Sequence, residues 1–227
     1  MEKIRMLSTL GLMGAMRSLS SAFEAASGIH VDADFAPTLA LLKRMRAGEA
    51  ADLVILTREG LDEIIGEGRV VADSAVDLAR SYVGLAVRAG QPHPDIANEA
   101  ALRKALLAAR SVAYSRLGAS GVYFAQLIVR MGIAAEINAT ATIVEQGFTA
   151  ERLVSGEADL AVQQISELKQ VDGIEVIGPV PHEMQMPAVF SAGRMVDAKQ
   201  AEGADWLLRY LASPEVVPVL RQSGLEP

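Results

Sequence analysis

An alternation of strand and helix patterns in the first third of the chain constrains the fold most. Residues 4–7 and 29–35 read as short strands, and apolar residues at helical spacing follow each of them. Residues 52–56 form a continuous apolar run, typical of a parallel strand that is covered on both faces. Thr57 is placed to cap the helix after it. This order predicts an α/β fold with a mostly parallel, doubly wound sheet.

The middle of the chain repeats this alternation of strand and helix patterns. Residues 82–87, 111–114 and 158–163 are apolar segments of strand length, and helical patterns lie between them. Asn98 is placed to cap one of these helices, and residues 120–131 form another. The repeated pattern predicts a second α/β lobe.

Composition excludes several classes of function. The chain has no cysteine, which removes disulfides, thiolate nucleophiles, iron–sulfur clusters and cysteine zinc sites. Its net charge is −7 and no strong basic run occurs, which argues against nucleic acid as the main partner. The histidines His30, His93 and His182 form no close pair of metal ligands. We therefore expect no metal and no cofactor, and no apolar run predicts direct membrane insertion.

The N-terminus superficially resembles a secretory signal, because Lys3 and Arg5 precede the apolar residues 6–16. We interpret this segment as a strand and a long amphipathic helix instead, since Gly28 ends a helical pattern there. The expected location is periplasmic if a signal peptide was removed from this chain, and otherwise cytoplasmic.

Candidate ligand contacts lie where strands end, because open α/β sheets bind ligands at the carboxyl ends of their strands. They are Ser8, Thr9, Leu10, Gly11, Pro37, Thr38, Ser115, Arg116, Ser120, Gln146, Gln163 and Gln164. Loops at helix starts present free backbone N–H groups and the positive end of the helix dipole, which could hold an anion without a metal. The alternative is that the serines and threonines only cap helices.

Arg116 is the most informative of these residues. It lies in a loop rich in hydroxyls and glycine, where its guanidinium would suit a carboxylate or a phosphate. The alternative is an exposed loop arginine. Gln163 and Gln164 directly follow an apolar strand and could give amide contacts, as could Gln146, unless they are merely polar strand ends.

The sequence shows no convincing catalytic motif. No GxSxG, Walker or GxGxxG motif stands out, and no serine is placed convincingly beside a histidine. Glu145, near a strand end, is the one carboxylate kept as a candidate general base. Catalytic residues therefore stay unidentified.

Two segments carry a family resemblance. Residues 47–56 (AGEAADLVIL) and 155–162 (SGEADLAV) resemble segments of the molybdate-binding proteins of ABC importers, and the resemblance covers nearly the whole chain. It implies a type II periplasmic-binding-protein fold with two lobes and a ligand cleft between them. Lobe 1 would be residues 1–80 and 192–227, lobe 2 residues 81–191, with hinge crossings near 80–82 and 188–192.

The matched pocket positions depart from that family. Gly11 falls where molybdate binders carry an oxyanion-contacting serine, while Thr38 and about Ser120 keep small polar residues. Gln164 falls about where the family has a tyrosine contact. These changes favour a larger anion that takes many hydrogen bonds, such as a di- or tricarboxylate.

Three hypotheses remain open from the sequence. The first is a solute-binding protein that captures a small organic carboxylate or a molybdate-like oxyanion, with ABC transporter membrane subunits as partners. The second follows from a resemblance to the aconitate isomerases, which share the two-lobe fold: an isomerase that acts on a small polycarboxylate. The third is a cytoplasmic ligand sensor.

Overall fold

The computed structural model describes residues 2–227, and the chain divides into two compact units. The terminal unit comprises the residues up to Ser81 together with Ala188–Pro227, and the middle unit comprises Tyr82–Pro187. The chain therefore passes between the units twice. That these two crossings act as a hinge stays a prediction.

Strands and helices alternate along most of the chain. The strands are β1 (Lys3–Ser8), β2 (His30–Phe35), β3 (Leu53–Thr57), β4 (Val76–Ser81), β5 (Val83–Arg88), β6 (Val112–Tyr114), β7 (Thr142–Ile143), β8 (Leu160–Gln164), β9 (Ile174–Pro179) and β10 (Ala188–Arg194). The α-helices are α1 (Met13–Ser27), α2 (Thr38–Arg46), α3 (Arg58–Gly66), α4 (Glu99–Ala108), α5 (Ala119–Arg130), α6 (Ala134–Thr140), α7 (Glu151–Val154), α8 (Ile165–Leu168), α9 (Ala201–Leu211) and α10 (Val217–Gln222). Short 3₁₀ helices occupy Leu10–Leu12, Ala72–Ser74, His182–Met184 and Pro214–Val216.

The sheet of the terminal unit has the strand order β2-β1-β3-β10-β4. β1 pairs in parallel with β2 and β3, and β10 runs antiparallel to both of its neighbours. Ser8 lies opposite Phe35 on one side and Ile55 on the other. The carboxyl ends of these three strands are therefore level, and the loops after β1 and β2 leave the same edge of the sheet.

Both faces of the terminal sheet are covered. Ile4 and Met6 pack into one apolar cluster with residues of α1 and α9, while Leu7 and Val54 pack into another with residues of α2 and α3. Every residue of β3 is buried, which explains why its sequence is continuously apolar. The predicted covered strand is confirmed.

The sheet of the middle unit has the same topology, with the strand order β7-β6-β8-β5-β9. β6 pairs in parallel with β7 and β8, and β5 runs antiparallel to β8 and β9. Its two apolar clusters are built around Phe124 and Leu153, on α5 and α7. The prediction of an α/β fold with a mostly parallel sheet in each unit is confirmed.

Both predicted caps are confirmed. The Thr57 hydroxyl accepts a hydrogen bond from the backbone N–H of Gly60, and the Asn98 side chain accepts one from that of Ala101. Three elements escaped sequence analysis: the edge strand β4 and the short helices α6 and α8. Across residues 2–227, no helix combines the length and the apolar character needed to span a membrane.

Candidate functional site

In the terminal unit, the candidate hydroxyls of Ser8 and Thr38 are buried and already bonded. Ser8 donates from Oγ to the Thr9 carbonyl at 3.2 Å, and Thr9 donates its backbone N–H to the Ile55 carbonyl at 2.8 Å. Thr38 Oγ1 accepts a hydrogen bond from the backbone N–H of Thr57 at 3.2 Å, which ties the start of α2 to the end of β3. These hydroxyls hold the loops in place, and a ligand could use only their remaining capacity.

Leu10, Pro37 and Gly11 are the candidate contacts of the terminal unit that carry no polar side-chain group. Leu10 and Pro37 are buried, and Pro37 has no backbone N–H to donate. At Gly11 a Cβ atom would lie 2.4 Å from Cζ of Phe190, a side chain that is 1% exposed. The ring of Phe190 therefore fills the space of the serine that the molybdate-binding pattern carries at the position matched by Gly11.

In the middle unit, the loop after β6 is fixed by backbone packing. A Cβ atom on Gly121 would lie 1.5 Å from the Ser115 carbonyl oxygen, so α5 begins in direct contact with this loop. The Ser115 hydroxyl accepts a hydrogen bond from the backbone N–H of Leu117 at 3.2 Å. Ser120, in the first turn of α5, is 2% exposed.

Arg116 and Gln146 are exposed. Within residues 2–227, the Arg116 guanidinium forms no ion pair or hydrogen bond, whereas Arg5 and Arg194 each pair with a carboxylate. Arg116 is thus a cation without a protein partner, in the same loop as Ser115. This position fits a ligand-binding arginine, and it equally fits the exposed loop residue expected as the alternative.

The Gln163 side chain is buried and bonded within the middle unit. Its Oε1 accepts hydrogen bonds from the backbone N–H of Thr149 at 2.8 Å and from the Thr149 hydroxyl at 3.1 Å, and its Nε2 donates to the Gly147 carbonyl at 3.3 Å. A ligand contact from Gln163 would need one of these bonds to break. Gln164 is 2% exposed and is the N-cap residue of α8.

Glu167 is a buried carboxyl group that sequence analysis missed. It lies in α8, immediately after β8, and is 7% exposed. Burial raises the pKa of Glu167 to about 7, although hydrogen bonds from the Gln164 backbone and the Gln163 side chain favour its charged form. A glutamate three residues after the N-cap position is a sequence signal that could have drawn attention to it. Glu145, the candidate base from sequence, is exposed.

The remaining titratable groups suggest no metal centre. In residues 2–227, no group of three or more histidine and carboxylate side chains is placed to hold a metal ion. His30 Nδ1 lies 3.0 Å from Oε1 of Glu24, and His93 Nε2 lies 2.8 Å from Oε2 of Glu175. Both histidines are exposed partners of surface carboxylates.

The topology of the two sheets defines the class of protein: the type II periplasmic-binding-protein fold. The chain belongs to the bacterial extracellular solute-binding protein family, which matches residues 4–226. It is also 36% identical to an aconitate isomerase from Pseudomonas sp over 230 residues, which cover 99% of this chain and 87% of that relative. The predicted resemblance is confirmed.

Two solved structures of bacterial binding proteins are similar in fold. The periplasmic molybdate-binding protein of Azotobacter vinelandii superposes with a TM-score of 0.83 at 15% identity, with 99% of each chain covered. The sulfate-binding protein of Mycobacterium tuberculosis H37Rv gives a TM-score of 0.80 at 15% identity, covering 100% of this chain and 87% of the other. At such low identity these likenesses show the fold alone.

Proposed function

We propose that this protein binds aconitate, a small organic anion with three carboxylates, and interconverts its cis and trans isomers. The 36% identity to an aconitate isomerase, over 99% of this chain, is the observation that carries the proposal. The molybdate- and sulfate-binding proteins share only 15% of their residues with this chain.

The packing around Gly11 supports a carboxylate rather than a tetrahedral metal oxyanion. A serine at Gly11, as in the molybdate-binding pattern, would place its Cβ atom 2.4 Å from Cζ of Phe190 and would clash with this ring. A hydroxyl contact is thereby replaced by an apolar wall.

The middle unit supplies the charge that a polycarboxylate requires. Arg116 is exposed and lacks a protein partner among the described residues, and a guanidinium binds a carboxylate through two parallel hydrogen bonds. Ser120 lies in the first turn of α5, where the helix dipole favours an anion. We propose that these two groups bind one carboxylate of the ligand.

The second candidate is a solute-binding protein that captures the same anion without converting it. The family description, bacterial extracellular solute-binding protein, supports this function. A periplasmic location and an ABC transporter as partner would accompany it. Absence of turnover combined with tight binding would select this candidate.

A thermal-shift panel separates the ligand classes, because a ligand that binds only the folded state raises the melting temperature. We expect cis-aconitate, trans-aconitate and citrate to raise it, and molybdate, tungstate, sulfate and phosphate to leave it unchanged. Stabilisation by molybdate or tungstate alone would contradict the carboxylate proposal. Interconversion of the aconitates in the same samples would separate the isomerase from the binding protein.

A further inference from the structure

We propose that the side chain of Glu167 is the acid–base group that moves the proton in this isomerisation. The proposal rests on the proposed function and adds a catalytic residue to it. Sequence analysis left that group unidentified, and its one candidate, Glu145, is exposed.

A single acid–base group is sufficient for this reaction. The Glu167 carboxylate would take a proton from the CH₂ carbon of aconitate, and the electron pair of that C–H bond would delocalise over the allylic carbons and the adjacent carboxylate. The same proton, or one exchanged with water, would return from Glu167 to the other end of the allylic system. The double bond shifts by one position, and atoms and electrons balance without any oxidant or reductant.

The sheet register brings Glu167 to the edge that carries the unpaired arginine. β6 and β8 pair in parallel, with Ala113 opposite Ala161. The loop after β6, which contains Arg116, and helix α8 therefore leave the sheet at the same edge. A Cβ atom on Gly84 would lie 2.6 Å from Cγ1 of Ile165, so α8 packs tightly against β5 and holds Glu167 in place.

The surroundings of Glu167 leave its proton exchangeable near neutral pH. Its hydrogen-bond donors, the Gln164 backbone and the Gln163 amide, are neutral. Strands β5, β8 and β9 pack against α8, and the ionisable side chains within them, Arg88 and Glu175, lie at the opposite end of the sheet from Gln164. Lys169 directly follows α8 on the chain. A carboxyl group in such surroundings can both accept and return a proton at physiological pH.

If Glu167 has only a structural role, its substitution should have a different effect. Glu167 is the third residue of α8 and bonds to the backbone of the N-cap residue, as the glutamate of a capping box does. Glutamine fills this capping position as well as glutamate does, but it cannot carry the proton. The substitution Glu167→Gln therefore separates the two roles.

The experiment measures the rate of aconitate interconversion and the citrate-induced shift in melting temperature for wild type, E167Q and the exposed control Glu136→Gln. We expect E167Q to keep the citrate shift and to lose at least 100-fold in kcat/KM. The kcat/KM of wild type should rise with pH through about 7, as the carboxyl deprotonates. E136Q should match wild type in both measurements, because Glu136 lies exposed on α6.

The outcomes distinguish the two proposals. E167Q that interconverts aconitate at the wild-type rate overturns the role of Glu167 and leaves the proposed function intact. Wild-type protein that binds aconitate without converting it overturns the isomerase, and the role of Glu167 with it. If E167Q loses the citrate shift, Glu167→Asp decides: a rate above that of E167Q supports the proposal, and an equal rate contradicts it.

Discussion

The two units share one sheet topology and differ in what they place at the carboxyl edge of the sheet. In the terminal unit the Ser8 and Thr38 hydroxyls are bonded internally, and Phe190 covers Gly11. In the middle unit Arg116 lacks a partner among the described residues, and Glu167 is a buried acid. The same arrangement of strands thus carries bonded hydroxyls and an apolar ring in one unit, and an unpaired arginine and a buried carboxyl group in the other. Function follows from these side chains rather than from the fold.

The largest expected effect tests the packing of the middle-unit loop. Gly121→Ala would place a Cβ atom 1.5 Å from the Ser115 carbonyl oxygen, and a backbone atom cannot yield as a side chain can. We expect a loss of more than about 4 kcal/mol in the free energy of unfolding, measured by urea denaturation. Gly118→Ala is the matched control, since nothing lies within 4 Å of its Cβ position. Equal stabilities of the two variants would contradict this packing.

The next effect concerns the buried acid and depends on pH. The folded-state pKa of Glu167 is about 7, against 4.5 for an ordinary glutamate, so between these values the folded state retains a proton that the unfolded chain releases. Wild-type stability should therefore fall as pH rises through this window, by about 3 kcal/mol in total. Glu167→Gln removes this loss. In urea denaturation E167Q should exceed wild type by about 3 kcal/mol at pH 8 and match it at pH 4. Equal stability of wild type and E167Q at pH 8 would show that burial does not raise the pKa of Glu167.

The packing at Gly11 gives a smaller effect in the terminal unit. Gly11→Ser restores the serine of the molybdate-binding pattern, but its Cβ would lie 2.4 Å from the ring of Phe190. Overpacking of this kind should cost about 2 kcal/mol in unfolding free energy. The cost should shrink when Gly11→Ser is made together with Phe190→Leu, as a double-mutant cycle would measure. A fully stable G11S variant that binds molybdate would contradict the assignment of an apolar wall here.

The smallest effect is on ligand affinity. Arg116→Ala removes the one charged group among the predicted contacts, and we expect a loss of about 1.5 kcal/mol in citrate binding, roughly tenfold in Kd. Arg116→Lys should lose less, since it keeps the charge but not the two parallel hydrogen bonds. Calorimetric titration of the three proteins measures this. Unchanged citrate affinity in the Arg116→Ala variant would show that Arg116 is an exposed loop residue and does not contact the ligand.

The sequence predicted those parts of the structure that depend on neighbouring residues. Thr57 and Asn98 were recognised as caps because a cap bonds to a backbone N–H within three residues. Strand β4 was missed because it is a half-polar edge strand whose partner, β10, is distant in the chain. Its pairing could not be read from local pattern.

The site was less predictable, since it depends on contacts between distant residues. Nothing near Gly11 in the sequence indicates that Phe190 covers it. Gln163 was predicted to be a ligand contact because it follows an apolar strand. Its side-chain amide is instead hydrogen-bonded to Thr149 and Gly147. Sequence analysis did not single out Glu167, and only tertiary packing shows that it is buried.

The most direct test of the central claim is to incubate the protein with trans-aconitate and follow the vinyl and methylene signals by proton NMR. We predict that cis-aconitate signals appear with wild-type protein and grow to a constant ratio of isomers, while E167Q leaves the spectrum unchanged. A wild-type sample in which trans-aconitate persists unaltered, although molybdate raises the melting temperature of the same protein, would contradict the account.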